Sequence, residues 1–225
     1  MHSALRVGKL ALLAVLLSSA FSLLSGGLTR AQVEAKKNAK YPQHVLIIRH
    51  AEKTGEKTDV HLSKKGTERA QVLFQLFAAS KNRPNPFPAP DFIFAASNSK
   101  SSWRPLETVM PLAMKLRLPI DQTYDSKRPP VPAKIGADKI LPKAEGMLGL
   151  RADIFGEPKY RGKTILVSWR HGTLPELAKT LGAKTAPATW EDNVFDRVWQ
   201  LTYDDQGNVA FHNRPQRLLP GDAEK

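Results

Sequence analysis

A short apolar run that ends abruptly in a basic pair most constrains the fold of this chain. Val45 to Ile48 form the run, and Arg49 and His50 follow it directly. A continuous apolar stretch rich in β-branched residues is typical of a strand buried on both faces, as in a parallel sheet. The basic pair is therefore predicted at the carboxyl end of a buried strand, where open α/β sheets bind their ligands.

A second copy of this arrangement lies much later in the chain. Another apolar run, residues 163–167, leads to Arg170 and His171. Scattered surface charge does not account for two basic pairs that each follow an apolar run. We therefore expect His50 and His171 to lie in one anion-sized site. The alternation of side chains along a strand favours an outward-facing Arg170, and the alternative is that Arg170 is an added ligand for the anion.

The remaining segments alternate between helical and strand patterns. Helices are predicted from the N-cap Ser63 to about Ser80 and over residues 105–116, 143–155 and 174–181, with Pro111 kinking or splitting the second. Strands are predicted over residues 45–49, 92–95, 118–120 and 163–167, and a hairpin over 198–212. This order predicts an α/β fold: a three-layer sandwich with a mainly parallel sheet, an antiparallel edge strand and helices on both faces.

The amino terminus has the pattern of a secretory signal peptide. Arg6 and Lys9 precede an apolar stretch from Leu10 to Leu24, and Thr29 and Ala31 supply small residues before a cleavage point. The protein is therefore expected to be exported, to a periplasm or to the extracellular space, and the alternative is a membrane anchor if the segment is not cleaved. We divide the chain into a signal peptide (1–31), a linker (32–43), one domain (44–213) and a loose polar tail (214–225).

Composition narrows the chemistry and the classes of partner. The chain has no cysteine, which excludes thiol chemistry, disulfides and cysteine-ligated zinc. Residues 1–31 carry three basic residues and no acidic one, so the net charge without them is +10, three less than the +13 of the whole chain. A positive field favours anionic partners, among them phosphorylated molecules and anionic membrane surfaces. The lysines are scattered and not interleaved with aromatic residues, so nucleic acid is not an expected partner.

The basic residues at the strand ends suit phosphoryl transfer. Arginine binds phosphate oxygens through paired hydrogen bonds and keeps its charge, which Arg49 and Arg104 would contribute here. A neutral His50 can attack phosphorus and form a covalent intermediate, while the arginines stabilise the oxygens of the transition state. These residues and His171 therefore predict a pocket for a dianionic phosphoryl group.

Four segments, in order along the chain, resemble the histidine phosphatase superfamily, the phosphoglycerate-mutase-like group. Residues Arg49–Glu52 are similar to its Arg-His-Gly/Ala-Glu signature, and Leu62–Ala70 to its Leu-Ser-x-x-Gly-x-x-Gln/Arg-Ala segment. Residues Arg104–Thr108 resemble its Arg-Ala-x-Glu/Gln-Thr segment, and His171-Gly172 resembles its second-histidine segment. The resemblance covers roughly residues 44–213, and it implies the same α/β fold.

The resemblance also implies roles for individual residues. His50 would be the phosphorylated nucleophile, and the phosphate pocket would be completed by Arg49, Arg104, His171 and Gly172. No metal and no other cofactor belongs to that mechanism. The approach to Arg104, residues 97–103, is longer than is usual in the superfamily, and Arg170 before the second histidine is also unusual.

No segment matches the loop that usually carries the general acid. Glu52, Asp125 and Glu145 are candidates in that order, and Glu52 is alternatively a loop carboxylate paired with a basic side chain. The leading hypothesis is an exported phosphatase that hydrolyses a phosphomonoester or phosphoramidate, on a small molecule or a phosphoprotein, through phospho-His50. The alternatives are a catalytically silent protein that binds phosphate or lipid headgroups, and a phosphomutase.

Overall fold

Six strands form one sheet in the computed structural model, which describes residues 39–81, 83–127 and 146–224. They are β1 (His44–Arg49), β2 (Phe92–Ala95), β3 (Ile120–Asp121), β4 (Thr164–Trp169), β5 (Arg197–Tyr203) and β6 (Val209–Pro215). Their order across the sheet is β3-β2-β4-β1-β5-β6. The first four in this order run parallel, and β5 runs antiparallel to both of its neighbours, β1 and β6. The predicted mainly parallel sheet with an antiparallel edge is confirmed.

The apolar runs of β1 and β4 pair at the centre of the sheet. Val45 lies opposite Ile165 and Ile47 opposite Val167, and all four side chains are buried. Strands covered on both faces must be apolar on both faces, which is why these runs are continuous instead of alternating. The pairing ends with Arg49 opposite Trp169, so both Arg-His pairs leave the sheet at the same edge.

In the described ranges, two helices cover each face of the sheet. The helices are α1 (Lys64–Val72, continued as a 3-10 helix over Leu73–Phe77), α2 (Arg104–Leu116), α3 (Gly146–Gly156) and α4 (Leu174–Thr180). Leu73 and Leu112 on one side pack with Leu46 and Ile48 of β1. On the other side, side chains of α3 and α4 pack with Val45 and Ile47. The predicted three layers are therefore present.

Two helix predictions need comment. Pro111 lies inside α2 without splitting it, because the neighbouring Val109 and Leu112 are packed against the sheet and hold the helix in place. The expected start of the helix over 143–155 lies outside the described residues, as do Glu145 and residues 1–38. None of the helices in the described ranges is both long and apolar enough to cross a membrane.

Both ends of the domain extend beyond the predicted bounds. The peptide oxygen of Tyr41, in the predicted linker, accepts a hydrogen bond from the Gly162 N–H, and Pro42 is buried. At the other end, β6 continues to Pro215, and Gln216 is 1% exposed. Asp222 forms an ion pair with the buried Arg69 of α1. The tail is therefore packed on the domain instead of loose, because polar residues in it find buried partners.

Candidate active site

A cavity of about 690 Å³ opens at the edge of the sheet where β1, β2 and β4 end. His50 comes from the end of β1, Arg104 from the start of α2, and His171 from a 3-10 turn that follows β4. Its other lining residues are Lys53, Thr54, Gly55, Glu56, Lys57, Asp59, Ser101, Ser102, Ser126, Lys127, Arg170, Gly172 and Thr173. Four of the residues predicted for the site, His50, Arg104, His171 and Gly172, thus line one cavity, and Arg49 and Glu52 do not.

His50 is buried, and its ring orientation is fixed. The backbone N–H of His50 donates to the Trp169 carbonyl at 3.0 Å, which joins the two strand ends directly. The ring Nδ1 lies 2.8 Å from the Ala51 carbonyl oxygen. A carbonyl oxygen can only accept, so Nδ1 must carry the proton and the lone pair lies on Nε2. This tautomer presents a nucleophilic nitrogen.

The surroundings of His50 keep its ring neutral. Burial is the main cause that lowers the pKa of His50 to about 3, and the nearby positive charges of Arg49 and Arg104 lower it further. The hydrogen bond to Ala51 opposes this only in part. A ring with this pKa is unprotonated at neutral pH, as a nucleophile must be.

Arg49 lies behind the cavity instead of lining it. Its Nη1 donates to three carbonyl oxygens of one loop, those of Glu191, Asp192 and Val194, at 2.8 to 3.0 Å. Its guanidinium carbon lies 3.8 Å from the centre of the Phe195 ring, which itself contacts His50. Nε and Nη2 are buried and meet no acceptor among the described residues. Arg49 therefore holds a fixed positive charge beside both histidines, whose pKa values it lowers.

Arg104 is held at the first residue of α2 by backbone acceptors. Nη1 donates to the Asp59 carbonyl at 2.7 Å and Nη2 to the Ser101 carbonyl at 3.2 Å. The Thr108 hydroxyl donates to the Arg104 carbonyl and accepts from the Ala51 N–H, both at 2.8 Å. One hydroxyl thus joins the helix that carries Arg104 to the loop that carries His50. Thr108 lies one helical turn after Arg104, and this spacing allows the Thr108 hydroxyl to make its hydrogen bond to the Arg104 carbonyl.

The Leu62–Ala70 segment supports the loop that follows His50. Ser63 caps α1 by accepting from the Gly66 N–H, and its own N–H donates to the Glu52 carbonyl at 2.9 Å. A side chain at Gly66 would overlap that same Glu52 carbonyl, so only glycine permits this close approach. The Leu62 N–H donates to the Glu107 carboxylate of α2 at 2.9 Å. The segment therefore holds the loop that follows His50 in place.

His171 lies in the 3-10 turn that directly precedes α4, and its side chain is partly exposed to the cavity. Its Nε2 lies 2.9 Å from Oδ1 of Asp192, whose side chain is largely exposed. Burial is the main cause that lowers the pKa of His171, and the Arg49 charge adds to it. A neutral His171 that donates from Nε2 to Asp192 is the form consistent with both observations.

Of the candidates for the general acid, Glu52 and Asp125 do not line the cavity, and Glu145 lies outside the described residues. Glu52 is 9% exposed and binds Arg69 through both carboxylate oxygens, at 2.7 to 3.2 Å. This is the alternative that the sequence left open, a loop carboxylate paired with an arginine. Asp125 lies next to the lining residues Ser126 and Lys127, and Lys127 pairs with it at 3.4 Å. Glu56 and Asp59, which the sequence did not single out, are the carboxylates that do line the cavity.

Arg170 corrects an expectation, because it lines the cavity instead of facing outward. Alternation along a strand requires both neighbours to be in the strand, but β4 ends at Trp169 and His171 begins a 3-10 turn. Nη2 of Arg170 donates to the hydroxyl of Ser99 at 2.8 Å. The two unusual features of the sequence, the long 97–103 segment and Arg170, are therefore in contact.

Within the described residues, no group of three or more His, Asp or Glu side chains converges as a metal site would require.

The sequence signal that found the site residues was their position after apolar runs. Asp192 had no such signal, because it lies in a loop without periodicity.

No protein-family model matches the chain, and no curated protein is similar to it in sequence. Among solved structures, the chain is similar to the protein histidine phosphatase SixA complexed with tungstate, at 16% identity over 77% of this chain and 97% of that chain (TM-score 0.49). It is similar to a phosphoglycerate mutase from Plasmodium falciparum at 14% identity over 81% and 97% (TM-score 0.47). A third is a mycobacterial glucosyl-3-phosphoglycerate phosphatase in complex with inorganic phosphate, at 14% identity over 76% and 95% (TM-score 0.42).

Proposed function

We propose that the protein is a phosphatase of the histidine phosphatase type, in which Nε2 of His50 takes the phosphoryl group of the substrate. The observation that carries the proposal is the state of His50: its Nδ1 proton is committed to Ala51, and burial keeps the ring neutral. A structural histidine does not need a lone pair directed toward a cationic cavity. The reaction at this phosphoryl-transfer site is hydrolysis of a phosphomonoester or phosphoramidate.

The geometry supports a two-step reaction. Nε2 attacks phosphorus, the bond to the leaving oxygen or nitrogen breaks with its electron pair, and phospho-His50 forms. Water then attacks phosphorus, the bond to Nε2 breaks, and inorganic phosphate leaves. Arg104 lines the cavity and stabilises the negative oxygens in both steps, and Arg49 contributes its charge from behind. Nδ1 keeps its proton throughout, so the Ala51 carbonyl holds the ring in the reactive orientation.

The nucleophile is tested by replacing His50 with alanine and assaying an aryl phosphate with a chelator present. We expect wild-type turnover to survive the chelator and the variant to lose activity by at least about a thousandfold, as removal of an activated nucleophile does. A rapid acid quench with labelled substrate should trap a base-stable, acid-labile phosphoprotein. His212→Ala is the matched control, because His212 is an exposed residue of β6.

Four results would count against this assignment. Normal turnover in His50→Ala would show that His50 is not the nucleophile. Acid-stable label on the protein would point to Ser101 or Thr173, which line the cavity. Tight phosphate binding without turnover would favour the silent binding protein. Transfer of label to a second hydroxyl compound instead of water would favour the mutase.

We also propose that the protein is exported, with residues 1–31 as the signal peptide. The basic and apolar pattern of that segment supports this, and the first strand of the described domain begins only at His44. A chain that lacks residues 1–31 should be soluble, folded and as active as the processed protein. The measurement is a comparison of amino-terminal mass and location for full-length and truncated chains expressed in bacteria. An unprocessed full-length chain in the cytoplasm, or a truncated chain that does not fold, would contradict export.

A further inference from the structure

The positive charge at the site exceeds what one phosphoryl group neutralises. Among the residues that the structure describes, five cationic side chains and two carboxylates line the cavity, a formal excess of +3; the cations are Lys53, Lys57, Arg104, Lys127 and Arg170. Arg49 adds a further positive charge from behind. A phosphoryl dianion supplies −2 at most, so the site retains positive charge when one such group is bound.

The arginines of the site also differ from Arg69, a buried arginine of α1. Arg69 is paired with two carboxylates, Glu52 and Asp222. In the described part of the chain, neither Arg104 nor Arg170 has a carboxylate within ion-pair distance. Each donates to neutral oxygens instead. A half-buried cation held only by neutral acceptors keeps its charge available to an external anion.

Arg170 is held in position without being saturated. Its Nη2 donates to the Ser97 carbonyl at 3.3 Å, the Ser99 hydroxyl at 2.8 Å and the Ser102 carbonyl at 3.4 Å. Its Nε is buried and meets no acceptor among the residues that the structure describes. The long 97–103 segment thus fixes one side of the guanidinium and leaves donor capacity on another. Repulsion from Arg104, after burial, lowers the pKa of Arg170, so the two cations share one low-dielectric region.

We propose that Arg170, together with Lys127, forms a second anion subsite in this cavity, so that preferred substrates carry a phosphate or carboxylate besides the transferred phosphoryl group. The role of the subsite in substrate choice rests on the proposed function; the subsite itself rests on the cavity alone. Lys127 also lines the cavity, and its side chain is highly exposed, so it can reach an anion without repacking. The cavity has the volume of a site for a small organic ligand, more than a lone phosphoryl group occupies.

Binding of non-hydrolysable probes tests the subsite without requiring turnover. The probes are phenylphosphonate and its 3-carboxylate, 4-carboxylate and matching carboxamide derivatives, titrated calorimetrically into the full protein. The better carboxylate should bind wild type about tenfold or more tightly than its carboxamide, as one charge-assisted contact provides. Arg170→Gln should remove this difference and leave the carboxamide affinity within about twofold, a change near the resolution of such comparisons.

Two further variants keep the test decisive. Lys127→Gln changes an exposed side chain and should reduce the carboxylate preference even if Arg170→Gln fails to fold. Arg161→Gln removes the same charge from an exposed residue before the start of β4, at the opposite end of the strand, and should preserve the preference. Equal affinity of carboxylate and carboxamide in wild type would overturn the subsite, and so would an equal loss for all probes in Arg170→Gln. If the preference is found but no substrate turns over, the subsite stands and the proposed phosphatase function fails.

Discussion

His50 combines a fixed proton with a buried ring, and this combination separates it from the other histidines of the domain. The Ala51 carbonyl fixes the tautomer, and burial with two nearby guanidinium groups suppresses protonation. His61 shows the opposite behaviour, because its hydrogen bond to Glu107 is the main cause that raises its pKa. The pKa shifts of both histidines arise from burial and contacts in the folded chain, which the sequence does not reveal.

The two rings should titrate differently in one experiment. In a long-range ¹H–¹⁵N spectrum recorded between pH 8 and 5, the His50 ring should stay neutral with the proton on Nδ1, because its pKa is about 3. His61 should become protonated above its ordinary pKa of 6.5 and serves as the internal control. A His50 ring that titrates between pH 6 and 7 would show that the cavity does not exclude the imidazolium.

The low pKa of His50 also links folding to pH. An unfolded chain takes up a proton on this ring near pH 6.5, whereas the folded chain does so only near pH 3. The contribution of the neutral ring to stability is therefore complete above pH 6.5 and is lost as the pH falls from there toward 3.

Position after an apolar run was enough to predict His50 and His171 from the sequence, since strand ends of a parallel sheet meet at one edge. The direction of Arg170 was not predictable, because it depends on the residue at which β4 ends. The partner of Glu52 was left open for a related reason: Arg69 is on α1, and the angle at which that helix crosses the loop decides the contact.

Helix α1 supports the loop that follows His50 and also covers the sheet. Its cap residue Ser63 and its close contact at Gly66 both meet the backbone of Glu52, two residues after His50. The helix therefore sets where that loop lies. Its prediction from the sequence was sound at the start, where Ser63 caps it, and less so at the end, where a 3-10 helix replaces the expected last turns.

Gly66→Ala should destabilise the domain by about 1–3 kcal/mol or more, because the added methyl group overlaps a backbone carbonyl that cannot rotate away. The displaced loop should also lower kcat. Urea unfolding and aryl phosphatase assays measure the two effects. Gly156→Ala at the end of α3 is the control: nothing lies within 4 Å of the added atom, so its stability should be unchanged or slightly raised. Equal behaviour of the two variants would show that α1 is not in contact with the loop.

At the scale of the whole molecule, a buried ionic network joins the two ends of the domain. Arg69 of α1 binds Glu52 of the loop that follows His50 and Asp222 of the tail, and it also donates to Gln216. Burial alone would lower the pKa of Arg69, but its hydrogen bonds to Asp222 and Glu52 raise it. A polar tail with prolines was predicted to be loose because pairing between charges so distant in sequence leaves no local pattern.

Asp222→Ala should lower the free energy of unfolding by roughly 2–3 kcal/mol, somewhat less than loss of a sole buried partner, because Arg69 keeps Glu52. Glu224→Ala in the same tail should change it by less than about 0.5 kcal/mol, as surface substitutions do, since its side chain is 90% exposed. Chemical denaturation of both variants measures these two changes in the free energy of unfolding. Equal stabilities would mean that the tail is loose after all.

The cluster of guanidinium groups at the strand ends has a consequence for the energetics of the folded chain. Like charges held together in a region of low dielectric repel one another, and only the folded chain brings Arg49, Arg104 and Arg170 together. An anion that binds the folded chain alone relieves this repulsion and adds about 2.7 kcal/mol of stability when its free concentration is 100 times its Kd. Resistance to heat and to proteases should therefore rise with the phosphate concentration of the surroundings, and an unfolding curve reports occupancy of the site even where no substrate is known.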